Sequence, residues 1–122
     1  TTEDIDNAIK IFLDKQADSV ISVCELEHPI ERARIIDENG KIGNYNKGEV
    51  VVKNRADYRK VFSPNGTVSV VSPKLILEKK FYSKNTYSYI MPRERSIDID
   101  NQFDFDIAEF LVRMKSEKFT TN

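Results

Sequence analysis

Residues 19–26 read Ser-Val-Ile-Ser-Val-Cys-Glu-Leu, a mostly apolar run of small and β-branched side chains that ends shortly before Pro29. A run of this kind is typical of a strand that is covered on both faces, as in the sheet of an α/β protein. The chain as a whole favours a sheet, because its 13 Ile and 10 Val residues far outnumber its 5 Leu residues. β-Branched side chains prefer strands to helices.

Segments with helical spacing alternate with further strand-like runs along the chain. The predicted helices cover residues 3–16, 74–80 and 102–117, and the further strands cover residues 66–71, 86–91 and 96–100. Helices that alternate with strands in this way predict an α/β fold.

The region of residues 30–60 differs from the rest. An Asn-Gly pair at residues 39–40 lies between short apolar runs, which predicts a β-hairpin. The stretch that follows is polar and basic apart from three valines at residues 50–52, so the region holds too little apolar surface for its own core. We therefore predict a single partial domain, with core pieces at residues 1–29 and 61–122. Residues 30–60 would be an arm that forms a homodimer with a second copy.

Length and charge limit the possible classes of function. The chain has 122 residues, which is one domain or part of one, and 19 basic and 20 acidic residues give a net charge of −1. Such a balance gives no general attraction to nucleic acid or to an anionic membrane. There is no apolar run of membrane-spanning length and no signal peptide, so a cytoplasmic protein is expected. The opening Thr-Thr-Glu-Asp reads as a helix cap without an initiator Met, and we expect a fragment.

The clearest chemical feature is Asp98-Ile99-Asp100. In a strand the two carboxylates would point to one face, and each would make the ionisation of the other more costly unless a cation lay between them. Mg²⁺ takes such oxygen ligands together with phosphate oxygens. The other interpretation is that both acids are solvent-exposed and that Asp100 caps the last helix. The spacing alone leaves both interpretations open.

A second feature is Pro64-Asn65-Gly66, just before a predicted strand. The sequence predicts a tight turn, or alternatively a place where the Asn65 side chain and the Gly66 backbone approach a ligand closely. His28, the only histidine, is either a base or ligand or a residue at the rim of a strand end.

Four strings carry a resemblance to a known family. They are SVISVCELEHP at residues 19–29, FSPNGTVSV at 62–70, FYSKNTYSYIMP at 81–92 and RSIDIDNQFDFDIAEFL at 95–111. Together they resemble the second half of the CMP-sialic acid synthetases (acylneuraminate cytidylyltransferases) and their relatives that act on other nonulosonic acids. The resemblance covers essentially the whole chain and is most specific in the last string.

The resemblance implies a fold and a reaction. The fold would be a partial Rossmann-like nucleotidyltransferase sheet with a β-hairpin dimerisation arm. The reaction would transfer CMP from CTP to the anomeric hydroxyl of a nonulosonic sugar acid, with release of pyrophosphate. Asp98 and Asp100 match the two metal-binding aspartates of the family, and Mg²⁺ would be the cofactor.

Further residues match positions that contact the sugar acid in the family. Arg55 matches an arginine of the dimerisation arm that reaches the partner subunit's site, and Phe81-Tyr82 matches an aromatic pair that lines the pocket. Asn65 and Gly66 match an Asn-Gly turn near the sugar.

The chain also departs from the family pattern. Ser69 stands where the family often has Tyr, and Glu31 where it often has Lys, so the acceptor is expected to differ from N-acetylneuraminate. Nothing matches the Gly-rich nucleotide loop of the family, so this chain alone is expected to be inactive. The alternative is a non-catalytic α/β dimerisation or interaction module.

Overall fold

The computed structural model describes residues 1–45, 54 and 58–120, the last five of these by their backbone alone. The predicted sugar ligand Arg55 and the three valines at residues 50–52 lie outside the described residues. The chain divides into two compact units, residues 1–24 with 64–122, and residues 25–63.

The described residues form three α-helices, five strands and two single turns of 3-10 helix. The helices are α1 (Thr2–Asp14), α2 (Pro73–Leu77) and α3 (Gln102–Thr120), the strands are β1 (Ser19–Glu25), β2 (Arg34–Ile36), β3 (Ile42–Asn44), β4 (Phe62–Val71) and β5 (Thr86–Ile90), and the 3-10 turns are Ile30–Arg32 and Arg93–Arg95. This composition confirms the predicted α/β class and all three predicted helices. None of the helices in the described part of the chain has the length and apolar character needed to cross a membrane.

The first unit is built on a three-stranded sheet in the order β4-β1-β5. β1 and β5 are parallel, with Ser19 opposite Thr86 at their amino ends. β4 runs in the opposite direction to β1, because the Ser72 amide donates to the Asp18 carbonyl whereas the Val68 amide reaches Ser22.

Helix α1 covers this sheet. Ala8 of α1 packs in a buried cluster with Val20 of β1 and Val68 of β4, and Phe12 and Tyr89 pack against its edge. Burial of this apolar face at about 25 cal/mol per Å² is the main term that holds helix and sheet together.

Two local predictions are wrong. Residues 96–99 form no strand, because none of the described strands pairs with them. The Ser96 amide donates to the Arg93 carbonyl instead, and its hydroxyl donates to the Pro92 carbonyl. Residues 64–66 form no separate turn, because β4 continues through them. Gly66 supplies a φ of +67°, which other residues rarely adopt, and the strand bends there without ending.

The second unit contains the predicted hairpin. β2 and β3 are antiparallel with Ile36 opposite Ile42, and Gly40 has a φ of +78° in the connecting turn. The Asp37 carboxylate accepts hydrogen bonds from the backbone amides of Asn39 and Lys41, both at 2.9 Å, and these bonds stabilise the turn. Whether residues 30–60 act as a dimerisation arm stays a prediction.

A buried carboxylate joins α1 to the chain after β5. Asp4 is 1% exposed and accepts hydrogen bonds from Tyr89 and Arg95, both at 2.9 Å, and from the hydroxyl of Thr1 at 2.7 Å. The α-ammonium group of Thr1 and then its hydroxyl, followed by Arg95 and Tyr89, hold the pKa of Asp4 well below its usual range, although burial opposes them.

Replacement of Asp4 by Asn is expected to lower the free energy of unfolding by about 1–3 kcal/mol at neutral pH, because hydrogen bonds to a buried charge are lost or weakened. The pKa of Asp4 is lower in the folded than in the unfolded state, so its contribution is present above about pH 4 and is lost as the pH falls further. Urea unfolding between neutral pH and about pH 3 measures both effects.

The matched control is Asp6→Asn, which changes an exposed residue of the same helix and is expected to leave stability within about 0.5 kcal/mol of the wild type. Two results would contradict the role given to Asp4. One is equal stability of Asp4→Asn and wild type at neutral pH, and the other is the same loss of stability below about pH 4 in both proteins.

Candidate functional site

The acidic pair lies on a segment without regular structure, between the 3-10 turn at Arg93–Arg95 and helix α3. Asp98 and Asp100 are both exposed. Among the described residues, neither carboxylate has a hydrogen-bond or ion-pair partner. Their oxygens are therefore available to a ligand.

Helix α3 is capped without the use of this pair. The side chain of Asn101 accepts the Asp104 amide at 3.1 Å, and the Asp104 carboxylate accepts the backbone amide of Asp100 at 3.2 Å. The interpretation in which Asp100 caps the helix is therefore wrong, because the neighbouring Asn101 does so. The carboxylate of Asp100 remains free of the helix end.

Whether the two carboxylates hold a divalent cation stays a prediction, and the strand that would have placed both on one face does not form at residues 96–99. The part of the chain that the structure describes contains no group of three or more His, Cys, Asp or Glu side chains placed to hold a metal. Mg²⁺ is usually bound by one or two carboxylates and fills its remaining positions with water and substrate phosphates. Asp98 and Asp100 match that mode of binding rather than an all-protein cage.

Asn65 lies within β4, and its side chain has four hydrogen-bond partners. Its oxygen accepts the hydroxyl of Ser22 at 2.5 Å and the amide of Thr67 at 3.2 Å. Its nitrogen donates to the hydroxyl of Ser96 at 2.8 Å and approaches the sulfur of Met91 at 3.5 Å. The side chain thus links β4 to β1 and to the segment that carries the acidic pair.

The backbone of Gly66, the next residue, is accessible from solvent. It is exposed, and a Cβ atom added there would meet nothing within 4 Å. The structure therefore leaves room for a ligand at this backbone.

The aromatic pair lies at a different place from the acidic pair. Phe81 and Tyr82 are exposed and precede β5, and the Phe81 carbonyl accepts the hydroxyl of Ser19 at 2.8 Å. Since Ser19 opens β1, the aromatic pair is tied to the amino ends of the parallel strands, whereas Asp98 follows the carboxyl end of β5. The structure does not bring these two predicted groups together within one chain.

Both departures from the family pattern are described residues. Ser69 is exposed on β4. In the second unit, Glu31 is half-buried, and one of its carboxylate oxygens is buried without a hydrogen-bond partner among the described residues.

Sequence reasoning missed the residues that hold the acidic segment in place. Arg95, three residues before Asp98, pairs with Asp4 from 91 positions away, and Asp4 had been interpreted only as an acid of a helix cap. Ser22 lies in an apolar strand that drew no attention to its hydroxyl. A buried serine among valines is a weak signal, and no sequence signal paired Asp4 with Arg95.

Comparison with known proteins agrees with the resemblance. The chain is 31% identical over 105 residues to the N-acylneuraminate cytidylyltransferase of Streptococcus agalactiae serotype V, which is 83% of this chain. It is 30% identical over 112 residues, 90% of this chain, to the pseudaminic acid cytidylyltransferase of Campylobacter jejuni. Over 65% of its length it is 28% identical to the CMP-N,N'-diacetyllegionaminic acid synthase of Campylobacter jejuni. No family model matches the chain.

The alignments cover only part of each relative. The chain spans 24% of the streptococcal enzyme and 47% of the pseudaminic acid enzyme. Over most of its length the chain is nevertheless similar to the N-acylneuraminate and pseudaminic acid cytidylyltransferases, and the resemblance predicted from its sequence is confirmed.

Proposed function

We propose that this chain is part of a cytidylyltransferase that transfers CMP from CTP to a nonulosonic sugar acid and releases pyrophosphate. The observation that carries the proposal is the free, exposed pair Asp98 and Asp100, in a chain whose relatives are cytidylyltransferases. We further propose that β4-β1-β5 is a piece of a Rossmann-like sheet, in which ligand sites lie outside the carboxyl ends of the parallel strands.

In this proposal Asp98 and Asp100 hold Mg²⁺ against the phosphates of CTP. The bound ion would neutralise phosphate charge as pyrophosphate leaves. The role of the two carboxylates would be to hold that ion, and the reaction would then depend mainly on the positioning of the substrates.

Other residues bind the sugar acid. Arg55 of one subunit holds the sugar carboxylate in the site of the partner subunit, since a planar guanidinium pairs well with a carboxylate. The open backbone of Gly66 contributes to the sugar pocket. The resemblance assigns the exposed rings of Phe81 and Tyr82 to that pocket as well, although within one chain they lie at the opposite end of β1 and β5 from Asp98. Support for these roles comes from the resemblance and from the exposure of the described residues.

In the second unit, Glu31 carries a buried carboxylate oxygen that has no hydrogen-bond partner among the described residues. A buried carboxylate oxygen without a partner is costly, so it favours a ligand that donates a hydrogen bond or carries a positive charge at that point.

Asp98→Asn and Asp100→Asn in the full-length protein are each expected to lower kcat at least about 100-fold, since metal stabilisation of transition-state charge is worth several kcal/mol. Stability should hold or rise, because one of two neighbouring charges is removed. Steady-state rates at limiting Mg²⁺ and thermal unfolding measure the two effects.

The control for this pair is Asp106→Asn, on the exposed surface of α3, where the new side chain still accepts the hydrogen bond from Gln102. Wild-type rates in either Asp98→Asn or Asp100→Asn at limiting Mg²⁺ would refute the metal assignment.

Ile36→Lys is expected to shift the full-length protein from dimer to monomer. Ile36 is 72% exposed in the hairpin, so the change leaves the unit's own packing intact but places a charge in the proposed interface. Sedimentation velocity over a concentration series measures the shift.

Ile76→Lys, at an exposed isoleucine of α2 outside the arm, is the control. A monomeric wild type, or a dimer that is unchanged by Ile36→Lys, would remove the basis for the arm.

Residues 1–122 on their own are expected to form no CMP-sugar. The chain has four scattered glycines and no Gly-rich loop to hold a triphosphate, so isolated residues 1–122 would behave as the non-catalytic module. Pyrophosphate release with CTP, Mg²⁺ and a panel of sugar acids is the measurement. A rate that Asp100→Ala abolishes in the same chain would show that the nucleotide site lies within these residues.

A further inference from the structure

The segment that bears Asp98 and Asp100 has no ladder of backbone hydrogen bonds to hold it, since residues 96–99 belong to no helix or strand. No strand geometry places the two carboxylates on one face either. Coordination of one ion nevertheless needs both carboxylates within about 0.5 Å of their productive positions. Contacts beside the pair must therefore restrain it.

We propose that Asn65 and Ser96 are positioning residues that hold this segment in a metal-binding conformation, and that the Asn65 side chain acts through Ser96 rather than by contact with the sugar. The inference rests on the proposed function, because it concerns the same acidic pair. It assigns Asn65 a different role from the one that the family resemblance implies.

The hydroxyl of Ser96 is the point of attachment. It accepts the Asn65 side-chain nitrogen at 2.8 Å and donates to the Pro92 carbonyl at 2.9 Å. Ser96 lies two residues before Asp98, so a shift of the serine moves the backbone from which the first carboxylate projects. Loss of the hydroxyl removes both hydrogen bonds at once.

The Asn65 side chain has no hydrogen-bonding capacity left for a sugar. An asparagine amide offers two donors and two acceptor sites. The oxygen is taken by Ser22 and the Thr67 amide, and the nitrogen by Ser96 and the sulfur of Met91. Because the Thr67 backbone amide can only donate, it fixes which end of the Asn65 amide is the oxygen.

The Asn65 amide is anchored in the core of the sheet. Ser22 is completely buried in the middle strand β1, and its hydroxyl also accepts the amide of Val68 at 2.8 Å. The path of hydrogen bonds thus runs from the buried middle strand through Asn65 to Ser96. Because the oxygen of the Asn65 amide is fixed by the buried Ser22 hydroxyl and by the amide of Thr67, the position of its nitrogen, which binds Ser96, is also restricted.

A second restraint acts on the neighbouring residue. Arg95 pairs with the buried carboxylate of Asp4 at 2.9 Å, so residues 95 and 96 are tied to different elements of the same unit. This ion pair limits the segment as a whole, whereas the Asn65–Ser96 hydrogen bond acts on the residue nearer to the acidic pair. Changes at Ser96 should therefore loosen the acidic pair without loss of the fold.

The test uses the full-length protein and two readouts, steady-state kinetics and direct Mn²⁺ binding by water-proton relaxation in the presence of CTP. Ser96→Ala is expected to raise the Mg²⁺ concentration for half-maximal rate about 10–100-fold and to weaken Mn²⁺ binding similarly, as for other residues that support metal ligands. KM for the sugar acid should change less than about threefold. Ser96→Thr keeps the hydroxyl and should restore the wild-type metal dependence.

Asn65→Asp separates positioning from sugar contact. The new carboxylate still accepts hydrogen bonds from Ser22 and Thr67, but it can bind Ser96 only if the serine hydroxyl gives up its bond to Pro92. It should therefore weaken metal binding in the same direction as Ser96→Ala, but less. The double variant should be no worse than Ser96→Ala alone, because both changes act on the same hydrogen bond between Asn65 and Ser96. Ser88→Ala, an exposed serine of β5, is the control.

The outcomes are distinct. A raised KM for the sugar acid in Asn65→Asp, with unchanged metal dependence, would show that Asn65 contacts the sugar and would overturn the proposal. Unchanged Mn²⁺ binding in Ser96→Ala would overturn it as well, and this readout does not require turnover. If Ser96→Ala unfolds, the comparison of Ser96→Thr with Asn65→Asp takes its place. Equal Mn²⁺ binding by these two variants would overturn the proposal. Failure of the proposed function looks different, since Asp98→Asn would then leave both metal binding and rate unchanged.

Discussion

The hydrogen bond between the buried hydroxyl of Ser22 and the amide of Asn65 connects the core of the first unit to its candidate site. Ser22 sits in the middle strand, where an unsatisfied hydroxyl would be costly. Asn65 and the amide of Val68 satisfy it from β4, at the point where Gly66 bends that strand. A polar residue among valines is therefore tolerated because the neighbouring strand is bent to meet it.

The Asn65 amide also contacts the segment that carries the acidic pair. With its oxygen fixed by Ser22, the amide of Asn65 presents its nitrogen to Ser96, at the start of the segment that leads to Asp98 and Asp100. That segment has little else to hold it, apart from the pairing of the preceding arginine with a buried aspartate. The carboxylates of Asp98 and Asp100 are exposed and have no protein partner among the described residues, as the proposed metal role requires.

Local patterns predicted most of the fold, because helical spacing, caps and an Asn-Gly turn act over a few residues. The strand predicted over residues 96–100 failed for a long-range reason. Its alternation of Ile97, Asp98 and Ile99 imitates a strand, but no neighbouring strand pairs with it, and Ile99 stays 53% exposed. The turn predicted at Asn65 failed because its side chain takes partners 31 and 43 residues away, so the strand continues.

The candidate site shows the same limit. The spacing of Asp98 and Asp100 left two interpretations open, and the resemblance supplied the metal-binding one. The contacts made by the residues before this pair join distant parts of the chain and leave no periodic pattern. A crystal structure of the full-length protein with CTP and Mn²⁺ tests most directly whether these two carboxylates hold the metal. We expect the anomalous signal of manganese within coordination distance of both carboxylates and of phosphate oxygens. Manganese bound to the triphosphate with both carboxylates turned away from it would contradict the assignment.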